Sequence, residues 1–158
     1  VCMYSVCMGQ QLNYSKNDMK KLAEGALLHD IGKSKIDNAI INKNGKLTKE
    51  EFEIIKNHPR FGKELLSENG ELDGRILDIV AYHHEKLDGK GYPYGLSGDV
   101  ISEFVQVVTI ADIFDALTTK RSYKPSLSSF EAFSMMNTVM KNEINVDIVK
   151  QFIKGFKG

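Results

Sequence analysis

All four histidines of this chain lie in short motifs that also carry acids, glycines or prolines. His29 is in LLHDIGK, His58 in NHPRFG, and His83 with His84 in YHHEKLDGKGYP. Histidine is the commonest metal ligand, and an adjacent His-Asp pair supplies a neutral nitrogen and a hard oxygen together. Three dispersed histidine sites plus buried acids predict one metal centre assembled from several helices.

Each candidate has a plainer alternative. His29 and Asp30 project about 100° apart on a helix, yet both reach one cluster from a helix end, with the carboxylate free to bridge two ions. Otherwise His29 answers the helix dipole and Asp30 caps locally. His58 stands before a proline, as a ligand or as a helix-junction residue. His83 and His84 follow Ile79 and Val80 by four residues, so both rings extend an apolar face and need partners, carbonyls or metal. Asp112 sits in the most apolar stretch of the chain and must be paired or metal-bound. Metal is the favoured reading for Asp112. For Asp115, one turn on, it is a structural hydrogen bond or a salt bridge to Lys33 or Arg121. Lys33, Arg121 and Lys124 are the cations beside these motifs, either solvated surface charge or a group suited to an anionic ester.

The elements that must position these residues read as helices. Ser15 to Asp18, Thr48 to Glu51 and Ser128 to Glu131 match the capping-box spacing. Helices are predicted at about 1–12, 16–30, 48–57, 59–67, 72–84, 101–119, 128–142 and 146–154. Gly32 is expected to end the second helix in a left-handed cap. Pro59 suits the first position of its helix and should push His58 out of the helical region. Residues 104–117 are apolar nearly all round, which predicts a buried central helix. Residues 86–99, KLDGKGYPYGLSGD, form a long irregular loop of the kind that is often functional. The fold class is therefore all-α, a helical bundle with one long loop.

At 158 residues, one domain is expected. Twenty-one Lys and Arg balance 21 Asp and Glu, which leaves no electrostatic footprint for duplex nucleic acid or an anionic membrane. Cys2 and Cys7 do not make a disulfide framework, so a reducing cytoplasmic setting fits. No apolar run approaches a membrane span. The chain opens without Met in what reads as a helix interior, so it is expected to be a fragment of a longer protein.

Together the motifs resemble the HD-GYP family, a subgroup of the HD-domain metal-dependent phosphohydrolases. The matching residues are His29-Asp30-Ile-Gly-Lys33, His58-Pro59 with Gly62, His83-His84-Glu85, Asp88-Gly89, Gly91-Tyr92-Pro93, Gly95-Leu96 and Gly98. They end with Ala111-Asp112-Ile-Phe-Asp115-Ala-Leu, Arg121, Tyr123 and Lys124. The resemblance implies a bacterial phosphodiesterase that cuts the second messenger cyclic di-GMP to pGpG or GMP. It implies two or three divalent ions, iron or manganese, held by His29, Asp30, His58, His83, His84 and Asp112, with Asp30 bridging. It places Lys33 beside the scissile phosphate, Tyr92 at the nucleotide, and Arg121 and Lys124 on phosphate oxygens. It also links the 86–99 loop to contacts with GGDEF-domain proteins.

The family carries a further His, often with a Glu one turn earlier, at positions that fall just before Val1. Ser122 stands where a proline is common. The implied mechanism is two-metal hydrolysis, in which ion-activated hydroxide attacks phosphorus while Lys33 steadies the charge on the phosphoryl oxygens. Two rivals remain: a cyclic di-GMP receptor without turnover, and an HD enzyme acting on another nucleotide such as 3′,3′-cyclic GMP-AMP.

Overall fold

Three helices begin on the capping residues that the sequence offers. In a computed structural model that describes residues 1–120 and 125–156, Thr48 and Ser128 form complete capping boxes with Glu51 and Glu131. Ser15 accepts the Asp18 amide, but its hydroxyl is bonded to the Asp18 carboxylate, so the reciprocal half of that box is replaced by a side-chain pair. The helices are α1 (Cys2–Gln11), α2 (Lys16–Leu28), α3 (Asn38–Ile41), α4 (Lys49–Ile55), α5 (His58–Glu68), α6 (Gly74–Tyr82), α7 (Glu103–Thr118), α8 (Ser129–Thr138) and α9 (Val146–Phe156). No strand occurs among the described residues. The all-α bundle is as expected. The short α3 is an addition, one turn capped by Asp37.

The core forms around α7. Val105, Val107, Val108, Ile110, Ala111, Phe114 and Leu117 are all buried, so α7 is enclosed over most of its surface, as its composition requires. Against it lie α1, α2, α6 and α8. α9 buries only one stripe, Ile148, Val149 and Phe152. Phe152 meets Phe114 and Phe133 edge to face, at 5.0 and 5.3 Å between centroids. Such contacts add about 0.5–1.5 kcal/mol each beyond burial.

Two details of the sequence reading are corrected. α2 ends at Leu28, and Ile31–Lys35 tightens into a 3₁₀ turn. Gly32 lies inside that turn and does not adopt a left-handed cap. Its missing Cβ serves contact instead: a methyl there would overlap the His58 carbonyl and the Gly62 amide. Nor does Pro59 expel His58 from the helix. His58 opens α5, and Pro59 occupies the first turn, where no amide is needed.

Candidate metal centre

The end of α2 presents the first pair. His29 is the C-cap and Asp30 begins the 3₁₀ turn. The start of α5 presents His58, and the end of α6 presents His83 and His84. α7 contributes Asp112, which lines the same cleft as His29, His58 and His84. Thr109, one turn before Asp112, donates its hydroxyl to the His83 carbonyl at 2.8 Å and ties α7 to the end of α6.

Three rings are fixed by the same device. The His29 Nδ1 donates to the Ala26 carbonyl at 2.7 Å, the His58 Nδ1 to the Ile55 carbonyl at 2.7 Å, and the His83 Nδ1 to the Val80 carbonyl at 3.0 Å. A carbonyl only accepts, so each Nδ1 carries the hydrogen, and in its neutral form each ring turns a bare Nε2 lone pair inward. Those lone pairs converge on a carboxylate. From Asp30, the His29 Nε2 is 3.4 Å, the His58 Nε2 3.2 Å and the His83 Nε2 3.8 Å. The His58 and His83 Nε2 atoms are themselves 3.2 Å apart.

With the rings neutral, acceptors face acceptors. The buried Oδ1 of Asp30 lies close to His58 but makes no hydrogen bond of acceptable geometry. An assembly of inward lone pairs around a buried carboxylate oxygen is unfavourable alone and suits a cation. Asp30, His58, His83 and His84 offer ligand atoms that lie within 4.8 Å of one another and could hold a metal ion. His29 joins them to Asp112, with its Nε2 3.9 Å from the Asp112 Oδ1. Nitrogen and oxygen donors without thiolate fit a hard or borderline divalent ion.

Electrostatics divide the rings. Burial, then the neighbouring imidazoles, push His83 well below the usual histidine range. Burial, then the charge of His58, bring His84 down to about 3. Both rings are therefore neutral and ligand-ready at neutral pH. Burial also presses on His29, but the Asp30 carboxylate, the Ala26 carbonyl and Asp112 together raise it. Burial opposes ionisation of Asp30, yet His29, His58 and Lys33 hold it far below the usual carboxylate range.

The cleft over the cluster is lined by Val1, Lys33, Ile55, His84, Tyr92, Asp112 and Asp115. The Lys33 Nζ is bonded to the Asp30 Oδ2 at 2.6 Å, so Lys33 pairs with the cluster's own acid and not with an acid of α7. Tyr92 stacks on His84 with centroids 4.6 Å apart. Burial first, then Asp112 and Asp30, push its phenol above the ordinary range, so it keeps its proton as a donor. Asp115, expected to be structural, stands at the cleft wall. Arg121 and Lys124 lie outside the described residues.

Glu85 had no role in the sequence reading. It is 2% exposed, and its two oxygens accept the Tyr94 and Leu96 amides at 2.7 and 2.9 Å. The 86–99 loop is thus pinned to the residue that follows His84. Tyr92 donates its amide to the His84 carbonyl at 3.1 Å, and a Cβ on Gly91 would come within 2.5 Å of the Glu85 Cα. The signal available was an acid directly after two inward histidines and before a glycine-rich run with spare amides.

With this geometry in view, a family model described as "HD domain" matches residues 1–147. This chain belongs to the HD-domain family. The HD-GYP resemblance read from its motifs holds. The chain is 32% identical over 154 residues to a cyclic di-GMP phosphodiesterase of Pseudomonas aeruginosa, covering 98% of this chain and 37% of that protein. It is 37% identical over 145 residues to a 3′3′-cGAMP-specific phosphodiesterase of Vibrio cholerae, covering 92% and 31%. Among solved structures, an HDG"Y"P protein from Bdellovibrio bacteriovorus superposes with a TM-score of 0.81 over 99% of this chain and 50% of that one, at 21% identity, a likeness of fold. The chain spans about a third of the length of the curated relatives it matches. No helix among the described residues is long and apolar enough to cross a membrane.

Proposed function

We propose that this HD domain is a metal-dependent phosphodiesterase acting on a cyclic dinucleotide, cyclic di-GMP first. The observation that carries the reading is the set of three carbonyl-fixed rings whose Nε2 lone pairs meet at Asp30. His29, Asp30, His58, His83, His84 and Asp112 would hold two or three ions, iron or manganese, with Asp30 shared between them. Bound there, the ions supply a nucleophile from water at neutral pH and draw charge from the phosphoryl oxygens.

The remaining work falls to the chain's own groups. The Lys33 ammonium, already at Asp30, is within reach of a phosphoryl oxygen placed on the cluster, where its charge counts most in the transition state. The Tyr92 phenol keeps its proton and donates to a substrate oxygen. Arg121 and Lys124 would take the outer phosphate oxygens.

The names of the relatives divide between cyclic di-GMP and 3′3′-cGAMP, so the substrate is to be settled by turnover. Metal-loaded full-length protein should be given cyclic di-GMP, 3′,3′-cGAMP and cyclic di-AMP, with products separated by chromatography. Conversion of cyclic di-GMP to pGpG or GMP supports the reading. Tight binding without product would make the protein a receptor. In that case the 86–99 loop, pinned to Glu85, is the segment suited to relay occupancy to a partner such as a GGDEF-domain protein.

A further inference from the structure

A line of aromatic rings runs outward from the cluster. Tyr92 stacks on His84, and Phe52 meets Tyr92 nearly at right angles, 6.3 Å between centroids and 79° between planes. Phe52 belongs to α4, a helix with no fully buried residue, and it is 45% exposed. A ring so placed adds little to the core. Ile55, on the same helix, lines the cleft, so the Phe52 corner is continuous with it. One turn beyond Phe52, the Lys56 Nζ stands 5.6 Å from the Phe52 centroid and 5.8 Å from that of Tyr92. Glu53 holds it there at 2.8 Å.

The corner has the parts that a purine needs. Phe52 supplies a half-exposed aromatic ring, Tyr92 a ring standing nearly upright to it, and Lys56 a cationic donor beside both. Base–aromatic stacking tolerates any base. A lysine donor favours guanine, whose N7 and O6 accept side by side, over adenine, which sets a donor next to its N7. Only one phosphodiester of a cyclic dinucleotide can occupy the cluster at a time, and the bases on either side must rest on something.

We propose that Phe52 is a base-stacking platform at the mouth of the metal cleft, where Tyr92 and Lys56 complete a seat for a guanine of the substrate whose phosphodiester lies at Asp30 and Lys33. This rests on the phosphodiesterase reading above.

Steady-state hydrolysis of cyclic di-GMP by the metal-loaded full-length protein tests it. Phe52→Ala should raise KM about tenfold, the loss of one stacked base, with kcat within about twofold of wild type and equal metal content. Phe52→Trp should restore KM, whereas Phe52→Leu, which keeps bulk without a π face, should not. Lys56→Met should raise KM as well. A Phe52→Ala protein with wild-type KM would overturn the platform alone. Equal rescue by Leu and Trp would also overturn it, because bulk would then suffice. A wild-type protein that binds metal and cleaves no cyclic dinucleotide would overturn the phosphodiesterase reading, and the platform with it.

Discussion

Glu85→Gln should release the 86–99 loop while leaving the bundle folded. The carboxylate is 2% exposed and accepts two backbone amides, Tyr94 at 2.7 Å and Leu96 at 2.9 Å. Hydrogen bonds to charged groups contribute about 1.5–3 kcal/mol each. The glutamine is nearly the same shape, but one of its terminal atoms is an NH₂. One amide keeps an acceptor, and the other then faces a donor. The cost is on the order of 2–4 kcal/mol, the lost bond plus an unmet buried amide. The loop can open without unfolding the helices, so the loss should appear first as local opening. Hydrogen exchange at the Tyr94 and Leu96 amides should quicken by about 10²-fold, since ~1.4 kcal/mol is tenfold. The core amides of α7 should keep their protection. Tyr92, which is bonded to the His84 carbonyl in the same loop, should lose its fixed place, so KM should rise with metal content unchanged. Wild-type exchange at Tyr94 and Leu96 in a folded Glu85→Gln protein would refute the reasoning. It would mean that the Gly91 packing, not Glu85, secures the loop.

Asp30→Ala should remove metal, read by elemental analysis, and with it hydrolysis, while the helical circular dichroism persists; full turnover by the folded variant would end the bridging assignment. Gly32→Ala should destabilise by more than ~2 kcal/mol in urea unfolding, because the added methyl meets backbone atoms of His58 and Gly62 that cannot rotate away. Metal-free protein should lose stability as pH falls from about 6.5 towards 4. Two rings, His83 and His84, have folded values below the ordinary one, so the unfolded chain binds more protons throughout that window. The raised His29 opposes them in part. For His84 alone, a fall from 6.5 to about 3 sets an upper limit of ~5 kcal/mol. A flat urea midpoint between pH 7 and 4.5 would contradict this.

The bundle was legible because its signals are local. The capping boxes at Thr48 and Ser128 and the unbroken apolar run of α7 each depend on neighbours within a few residues. The six candidate ligands were legible because each sits in a dense motif; five of them line one cleft, and His83 lies buried beside it with its Nε2 3.8 Å from Asp30. Gly32 was misread for a physical reason. A glycine after a helix answers equally to a left-handed cap and to a close backbone neighbour, and only the fold reveals that the neighbour is His58. Glu85 was opaque in a similar way, since its partners are amides nine and eleven residues away in a loop without periodicity. Phe52 was hidden because an exposed aromatic on a short helix looks like ordinary surface until Tyr92 is placed against it.

The compactness of the cluster depends on the backbone more than on the side chains. A histidine reaches only a few ångströms, so ligands from three segments can meet only if their backbones nearly touch. Gly32 allows the turn after Asp30 to press on the first turn of α5. Gly62, one turn into α5, faces back to the Gly32 amide and leaves room for Val80 of α6, whose carbonyl fixes the His83 ring. The same contacts set both the distance between segments and the orientation of the rings. Because the Nδ1 partners are carbonyls of the residues one turn earlier, Ala26, Ile55 and Val80, the inward lone pairs follow from the helices themselves. The chain therefore folds into an arrangement that is electrostatically incomplete at Asp30 and suited to divalent ions, and their binding should in turn draw the ends of α2, α5 and α6 together.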